Sequence, residues 1–281
     1  MKYTISDIKK LKNNSSPFST ITAYDYPTSL IINELDIPMV LVGDSASMVV
    51  YGYDNTLPVT MEELLLINRA VKRGIKKALI IADMPFLSYQ TSDEEAIKNA
   101  GNLIKVGGAD AVKLEGGCEY VARISKIIEA GIPVMGHIGL KPQSILTDSE
   151  YKIHGKKISE AFKIYKDALA LEKAGVFAIV LEGVPEELAT MITNKIQIPT
   201  IGIGGGKGCD GQIQVFHDVV GWFGGKAPKH AKIYINNYQM IKDALIEYSI
   251  EVANKKFPDK LNTVTMDLKE LAGLKKKIEN I

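Results

Sequence analysis

The chain has 281 residues, 46% hydrophobic and 24% charged, an ordinary globular composition with length enough for a full core. A formal net charge of +1 gives no electrostatic reason to expect nucleic acid, and with Arg only at Arg69, Arg73 and Arg123 a set of bidentate phosphate clamps is not expected. Cys118 and Cys209 cannot build a disulfide framework, no run reaches the ~20 apolar residues of a membrane span, and residues 1–7 lack a signal-peptide core, so a cytoplasmic protein that binds no membrane is expected.

Along the chain, short apolar runs alternate with amphipathic stretches. The runs predict strands at 19–23, 38–43, 78–82, 110–115, 133–136, 177–182, 199–203 and 216–221. Thr60-Met61-Glu62-Glu63 and Ser92-Asp93-Glu94-Glu95 have the form of capping boxes that start helices, and Pro185 suits a first helical position. Gly74, Gly107-Gly108, Gly131 and Gly175 read as helix stops. Strands apolar on both faces, alternating with helices, imply parallel pairing. Eight such units favour an α/β fold of the closed (β/α)8 TIM-barrel type over a doubly wound sheet. Residues 236–257 and 265–281 predict two further helices. No linker rich in Pro, Gly or Ser intervenes, so residues 1–281 are read as one domain, with 236–281 as its C-terminal helical extension.

Four of the runs end in an acid. Val40-Leu41-Val42-Gly43 stops at Asp44, Ala78-Leu79-Ile80-Ile81-Ala82 at Asp83, Ala111-Val112-Lys113-Leu114 at Glu115, and Ala178-Ile179-Val180-Leu181 at Glu182. In a barrel all strand C-termini meet on one face, so these carboxylates would converge there. They would repel unless they share a cation or one of them is a proton acceptor of shifted pKa. Asp44, Asp83 and Glu115 offer only oxygen, which suits Mg2+, Mn2+ or Ca2+ rather than Zn2+; each alone is as readily explained as a cap. Lys113 and Glu115 are two apart and share a strand face. A Lys facing a barrel interior needs an anion, either Glu115 itself or the carboxylate of a small acid. His137, at the end of the fifth run, is a structural hydrogen-bonder or an auxiliary to the chemistry; His154, His217 and His230 have no supporting pattern. Gly206-Lys207-Gly208-Cys209-Asp210-Gly211 fits G-x-G-x-x-G. It comes late and lacks the acidic residue some ~20 positions on, so close backbone approach to a ligand is the better account.

Taken in order, several segments resemble the ketopantoate (3-methyl-2-oxobutanoate) hydroxymethyltransferase family. They are Thr20-Ile21-Thr22-Ala23-Tyr24-Asp25-Tyr26, Leu41-Val42-Gly43-Asp44-Ser45, Thr56-Leu57-Pro58-Val59-Thr60, Ala82-Asp83-Met84-Pro85-Phe86 and Val112-Lys113-Leu114-Glu115-Gly116-Gly117. Gly136-His137-Ile138-Gly139-Leu140-Lys141-Pro142-Gln143-Ser144, Leu181-Glu182-Gly183-Val184-Pro185 and Asp210-Gly211-Gln212-Ile213 continue the series, which spans roughly residues 3–258. Gly183 departs from the Cys that many relatives carry, and 265–281 matches nothing. The resemblance implies a (β/α)8 barrel of the phosphoenolpyruvate/pyruvate type with Mg2+ held by Asp44, Asp83 and Glu115. It implies a 2-oxo acid contacted by Asp44, Ser45, Asp83 and Lys113, and Glu182 as proton acceptor. The implied reaction moves a hydroxymethyl group from 5,10-methylenetetrahydrofolate to 3-methyl-2-oxobutanoate through a Mg-stabilised enolate. Its product would be 2-dehydropantoate (ketopantoate), on the way to pantothenate and coenzyme A, and the assembly a homodecamer. Two rivals stand beside it: a related Mg2+ barrel working on another C–C bond, as an isocitrate-lyase-like enzyme does, and a metal-binding barrel without turnover.

Overall fold

Eight parallel strands close on themselves in the computed structural model, which describes residues 2–14, 16–148, 153–224 and 227–280. The strands are β1 Phe18–Thr22, β2 Met39–Val42, β3 Leu79–Asp83, β4 Ala111–Glu115, β5 Val134–Gly139, β6 Ala178–Glu182, β7 Thr200–Ile203 and β8 Gly211–Gln214. Each pairs with the next, and β8 returns to β1 with Phe18 opposite Gly211 and Ile21 opposite Gln214. Helix α1 Ile5–Lys10 precedes the barrel. Around it run α2 Tyr26–Glu34, α3 Ala46–Val49, α4 Met61–Gly74, α5 Asp93–Lys105, α6 Val121–Glu129, α7 Ile145–Asp148, α8 Ile158–Ala174, α9 Glu186–Lys195 and α10 Phe216–Val219. Helices α11 Asn237–Ala253 and α12 Leu268–Ile278 follow.

The alternation of side chains along each strand makes two cores. Leu41, Leu79, Ile81, Ala111, Met135, Val180, Ile201 and Ile213 fill the barrel, while Val40, Ile80, Val112, Leu114, Ile179 and Leu181 pack outward under the helices. Each fully buried aliphatic side chain contributes roughly 1.5–3 kcal/mol through lost water contact. Fully buried Ile8 of α1 joins the interior cluster with Tyr3, Ile5, Leu11 and Phe18 beside it, flooring the barrel at its N-terminal end. Ion pairs pin that floor: Lys12 Nζ lies 3.0 Å from Asp210 and Lys2 Nζ 2.5 Å from Asp110, each acid also taking a strand N–H.

Local signals hold with four corrections. The Thr60 hydroxyl accepts the Glu63 N–H while the Glu63 carboxylate accepts that of Thr60, a full capping box. Ser92 makes only its half, because the Glu95 carboxylate takes the Thr91 hydroxyl instead. Pro185 caps α9 rather than starting it. The eighth strand is not 216–221, part of which forms the one-turn helix α10; it is Gly211–Gln214. Its Gly-Gln-Ile-Gln pattern buries one face only and so lacks the continuous apolar signature of the other strands. The C-terminal helices are shorter than 236–257 and 265–281, capped by Asn236 and Asp267, and Ile281 lies outside the described residues. Neither helix contains a buried residue, and Ile241, Leu245, Tyr248, Leu268 and Leu274 are exposed.

Candidate active site

Interior-facing positions of four neighbouring strands turn from apolar to titratable at their C-terminal ends. Leu79 and Ile81 lead to Asp83, Ala111 to Lys113 and Glu115, Met135 to His137, and Val180 to Glu182. The register aligns them: Asp83 stands opposite Lys113, and Glu115 opposite His137. Asp44 joins from the turn after β2, with its backbone N–H donating to Asp83 Oδ2 at 3.0 Å. Asp44, Asp83, Lys113, Glu115 and His137 are all buried, and Glu182 is partly so.

Lys113 finds its anion in Asp83, with Nζ 2.5 Å from Oδ1, and not in Glu115, the strand neighbour considered from sequence. The parallel ladder explains this, because directly paired residues on adjacent strands come closer than two residues along one strand. Burial works against the ammonium, yet the charges of Asp83, Asp44 and Glu115 outweigh it and raise the Lys113 pKa. Burial, reinforced by Asp83, lifts Asp44 to about 7. Burial, reinforced by Asp44, holds the Glu115 carboxyl well above its ordinary value. Glu182 is also raised to about 7, chiefly by burial, with Lys113 and His230 pulling the other way. His137 lies between the two glutamates, Nδ1 3.6 Å from Glu115 Oε1 and Nε2 3.3 Å from Glu182 Oε2. Burial, with Lys113 next, pushes its pKa well below the usual range, so the imidazole is neutral at pH 7.

Gln143, in the turn after β5, has no role from the sequence, yet it ties the acids of the mouth together. Its Nε2 donates to Asp44 Oδ2 at 2.8 Å and to the Met84 carbonyl at 3.0 Å, and its backbone N–H donates to Glu115 Oε2 at 3.0 Å. The Tyr89 hydroxyl, 3.0 Å from Gln143 Oε1 and 3.1 Å from the Glu115 carbonyl, completes the bracket. The sequence signals for Gln143 are its place just after Pro142 at a strand mouth and its membership of the Gly136–Ser144 segment of the resemblance, neither of which assigns it a role.

Among the described residues no three acid, His or Cys side chains are arranged to hold an ion. The expected ligands Asp44, Asp83 and Glu115 do meet at one mouth, where Lys113, Gln143 and the Asp44 N–H engage both Asp83 oxygens, Asp44 Oδ2 and Glu115 Oε2. Their chemistry still fits a hard divalent cation. Three buried carboxylates face one ammonium, and Glu115 Oε1 has no hydrogen-bond partner among the described residues. Within the glycine run the backbone passes close to neighbouring side chains: a Cβ on Gly206 would sit 2.4 Å from Glu186 Cγ, and one on Gly204 3.1 Å from His230 Cβ, both at positive φ. Gly183 also has positive φ, +54°, which accounts for glycine beside Glu182. No helix among the described residues is long and apolar enough to cross a membrane.

A family profile described as ketopantoate hydroxymethyltransferase matches residues 2–260. A protein of Dehalococcoides mccartyi named 3-methyl-2-oxobutanoate hydroxymethyltransferase is 52% identical over 276 residues, covering 98% of this chain and 99% of its own. One of the same name from Clostridium beijerinckii is 49% identical over 274 residues, covering 98% and 100%. Among solved structures, phosphonopyruvate hydrolase in complex with oxalate and Mg2+ superposes with a TM-score of 0.59 at 11% identity, covering 99% of this chain and 96% of its own. The 2,3-dimethylmalate lyase, described as a PEP mutase/isocitrate lyase superfamily member, gives 0.59 at 15% identity, covering 99% and 98%; at such identities the likeness concerns the barrel alone.

Proposed function

The chain belongs to the ketopantoate hydroxymethyltransferase family, and from that premise we propose that it transfers a hydroxymethyl group from 5,10-methylenetetrahydrofolate to 3-methyl-2-oxobutanoate, giving ketopantoate for pantothenate and coenzyme A synthesis. The observation that carries the reading is Glu182, a carboxylate of raised pKa facing the same mouth as Lys113 and the three other acids. A new C–C bond at C3 requires removal of a weakly acidic proton beside a ketone. A base near pKa 7 in a poorly hydrated mouth suits that task at neutral pH.

Asp44, Asp83 and Glu115 are the residues that would hold Mg2+. When bound, that ion would supply positive charge for the keto and carboxylate oxygens of the oxo acid. The chain's own groups divide the remaining work. Lys113 offers a buried ammonium to the substrate carboxylate, and Asp44, Ser45 and Asp83 border the same space. Glu182 takes the C3 proton and the carbanion forms the new C–C bond to the one-carbon unit. Both C–N bonds to the folate break, water supplies the hydroxyl, and its other proton together with the one taken by Glu182 ends on the two nitrogens of tetrahydrofolate. Neutral His137, within 3.3 Å of Glu182, holds an auxiliary place beside the base. Gln143 and Tyr89 keep the acids from turning away between cycles.

The test is formation of ketopantoate from 3-methyl-2-oxobutanoate and methylenetetrahydrofolate, with and without Mg2+. Product that depends on both substrates and on the metal is the expected result. Cleavage of a substituted malate with no ketopantoate formed would favour the rival C–C chemistry, and neither product a barrel without turnover.

Lys113→Ala is expected to raise KM for the oxo acid at least tenfold. Removing one partner of a buried pair also costs roughly 3–5 kcal/mol, since Asp83 is left without its cation. Steady-state kinetics beside thermal unfolding separate the two effects. An unchanged KM with a large loss of stability would make the ion pair purely structural.

The same reading takes the whole chain as one cytoplasmic barrel domain with a helical extension, assembled as a homo-oligomer, a decamer by family likeness. What supports assembly is the extension itself. Tyr238, Met240, Ile241, Leu245, Ile246 and Ile250 are exposed along α11, more apolar surface than an isolated helix keeps in water. Light scattering should give a mass several times 30.8 kDa, and a monomer at micromolar concentration would remove this part of the proposal.

A further inference from the structure

Tyr24 lies at the same mouth, two residues past β1, and is buried to 4% exposure. Its hydroxyl is 2.7 Å from Ser45 Oγ, and either oxygen can be the donor. Its ring is wedged against His217, centroid to centroid 5.3 Å, and His217 is itself enclosed by Phe216, Trp222 and Phe223 at 5.7–5.9 Å. The Phe216 N–H donates to Thr22 Oγ1 at 2.8 Å, tying this aromatic packing back to β1. The Tyr24 hydroxyl therefore has a fixed address. The Ser45 side chain is equally confined. A Cβ on Gly43 would lie 2.7 Å from Ser45 Oγ and 3.5 Å from Asp83 Oδ2, so the serine hydroxyl and the Asp83 carboxylate border the same small space, which only glycine leaves open.

Each hydroxyl owns one proton. If Ser45 donates to Tyr24, its proton is spent on a neutral phenol. If Tyr24 donates to Ser45, the serine proton remains available for an anion, where a hydrogen bond is worth more and is strengthened by the donor behind it. Burial also keeps the phenol protonated, raising its pKa far above any working pH against the opposite pull of hydrogen bonds to Ser45 and Thr22; a Thr22 hydroxyl that donates to the phenol oxygen leaves the Tyr24 proton for Ser45.

We infer that Tyr24 is a positioning residue: it donates to Ser45 Oγ and so aims the Ser45 proton at an anionic oxygen of the 2-oxo acid. The inference rests on the reading of Ser45 as a substrate contact, and the experiment separates the two. Affinity for 3-methyl-2-oxobutanoate in the presence of Mg2+ is measured by calorimetry on the full chain, the Tyr24→Phe and Ser45→Ala variants and the double variant, with KM and kcat alongside. Tyr24→Phe should weaken binding and raise KM about tenfold, the scale of one hydrogen bond to a charged group. Its kcat should change far less, and the double variant should bind no worse than Ser45→Ala. Penalties that multiply in the double variant, or a Tyr24→Phe variant with wild-type affinity, overturn the role of Tyr24 while leaving Ser45 in place. A Ser45→Ala variant with wild-type affinity overturns the substrate reading and the inference with it. A crystal structure of the wild-type protein with the oxo acid and Mg2+ tests the same contact without any variant. Ser45 Oγ within hydrogen-bond distance of both Tyr24 Oη and the ligand is required, and a serine swung away from Tyr24 overturns the inference.

Discussion

Replacing Glu182 by Gln is expected to abolish exchange of the C3 hydrogen of 3-methyl-2-oxobutanoate with deuterated water while leaving the oxo acid bound. The amide keeps the shape of the side chain at the end of β6 but cannot accept the proton, and a general base typically contributes about 10²–10⁴-fold. Wild-type protein with Mg2+ should show the exchange without folate, followed by NMR. The pH dependence fixes the assignment. Because burial raises Glu182 to about 7, the base is mostly protonated below neutrality, so the wild-type rate should climb as pH rises through about 7 and level off above it. The variant should lose that limb along with the rate. Exchange at the wild-type rate would pass the role to another group, with His137 at 3.3 Å the first to examine.

Asp83→Asn carries the second large effect, and the structure makes it harsher than a metal ligand alone would imply. One carboxylate oxygen accepts from Lys113 at 2.5 Å and the other from the Asp44 N–H at 3.0 Å. An amide at this position would turn its NH2 group toward one of these two donors. Activity should fall by about 10²-fold or more, with partial recovery at high Mg2+. A readout independent of turnover is the thermal midpoint. In the wild type it should rise with added Mg2+, as any ligand selective for the folded state demands, and in Asp83→Asn the rise should shrink. Normal turnover of the variant without added metal would dismiss the three-acid site.

Most of this arrangement was legible in the chain because it is carried by strands. Apolar runs ending in Asp83, Glu115 and Glu182 announce both the barrel and its charged mouth, since side-chain alternation fixes which residues face inward. Lys113 was correctly placed on that face, but its partner is set across the ladder, and pairing register is not written in one strand. Gln143, Tyr89 and Tyr24 were not legible as site residues. Each reaches the mouth from a turn, and a polar residue in a turn looks the same whether it faces solvent or a buried carboxylate. The last strand was missed for a related reason: its outward glutamines hide it among loops.

That division between strand and turn bears on how such a protein can change over generations. Asp83, Glu115, Glu182, the lysine and the histidine sit in the hydrogen-bonded ladder, where a one-residue slip would turn every one of them outward and leave Asp44, in its turn, as the last acid at the mouth. Their chemistry is therefore nearly frozen. The turns that carry Ser45, Tyr89 and Gln143 bear no such constraint, and insertions there leave the ladder intact. New substrates can be reached by redrafting those turns around an unaltered set of acids, so drift in this lineage should alter what is held long before it alters what is done to it.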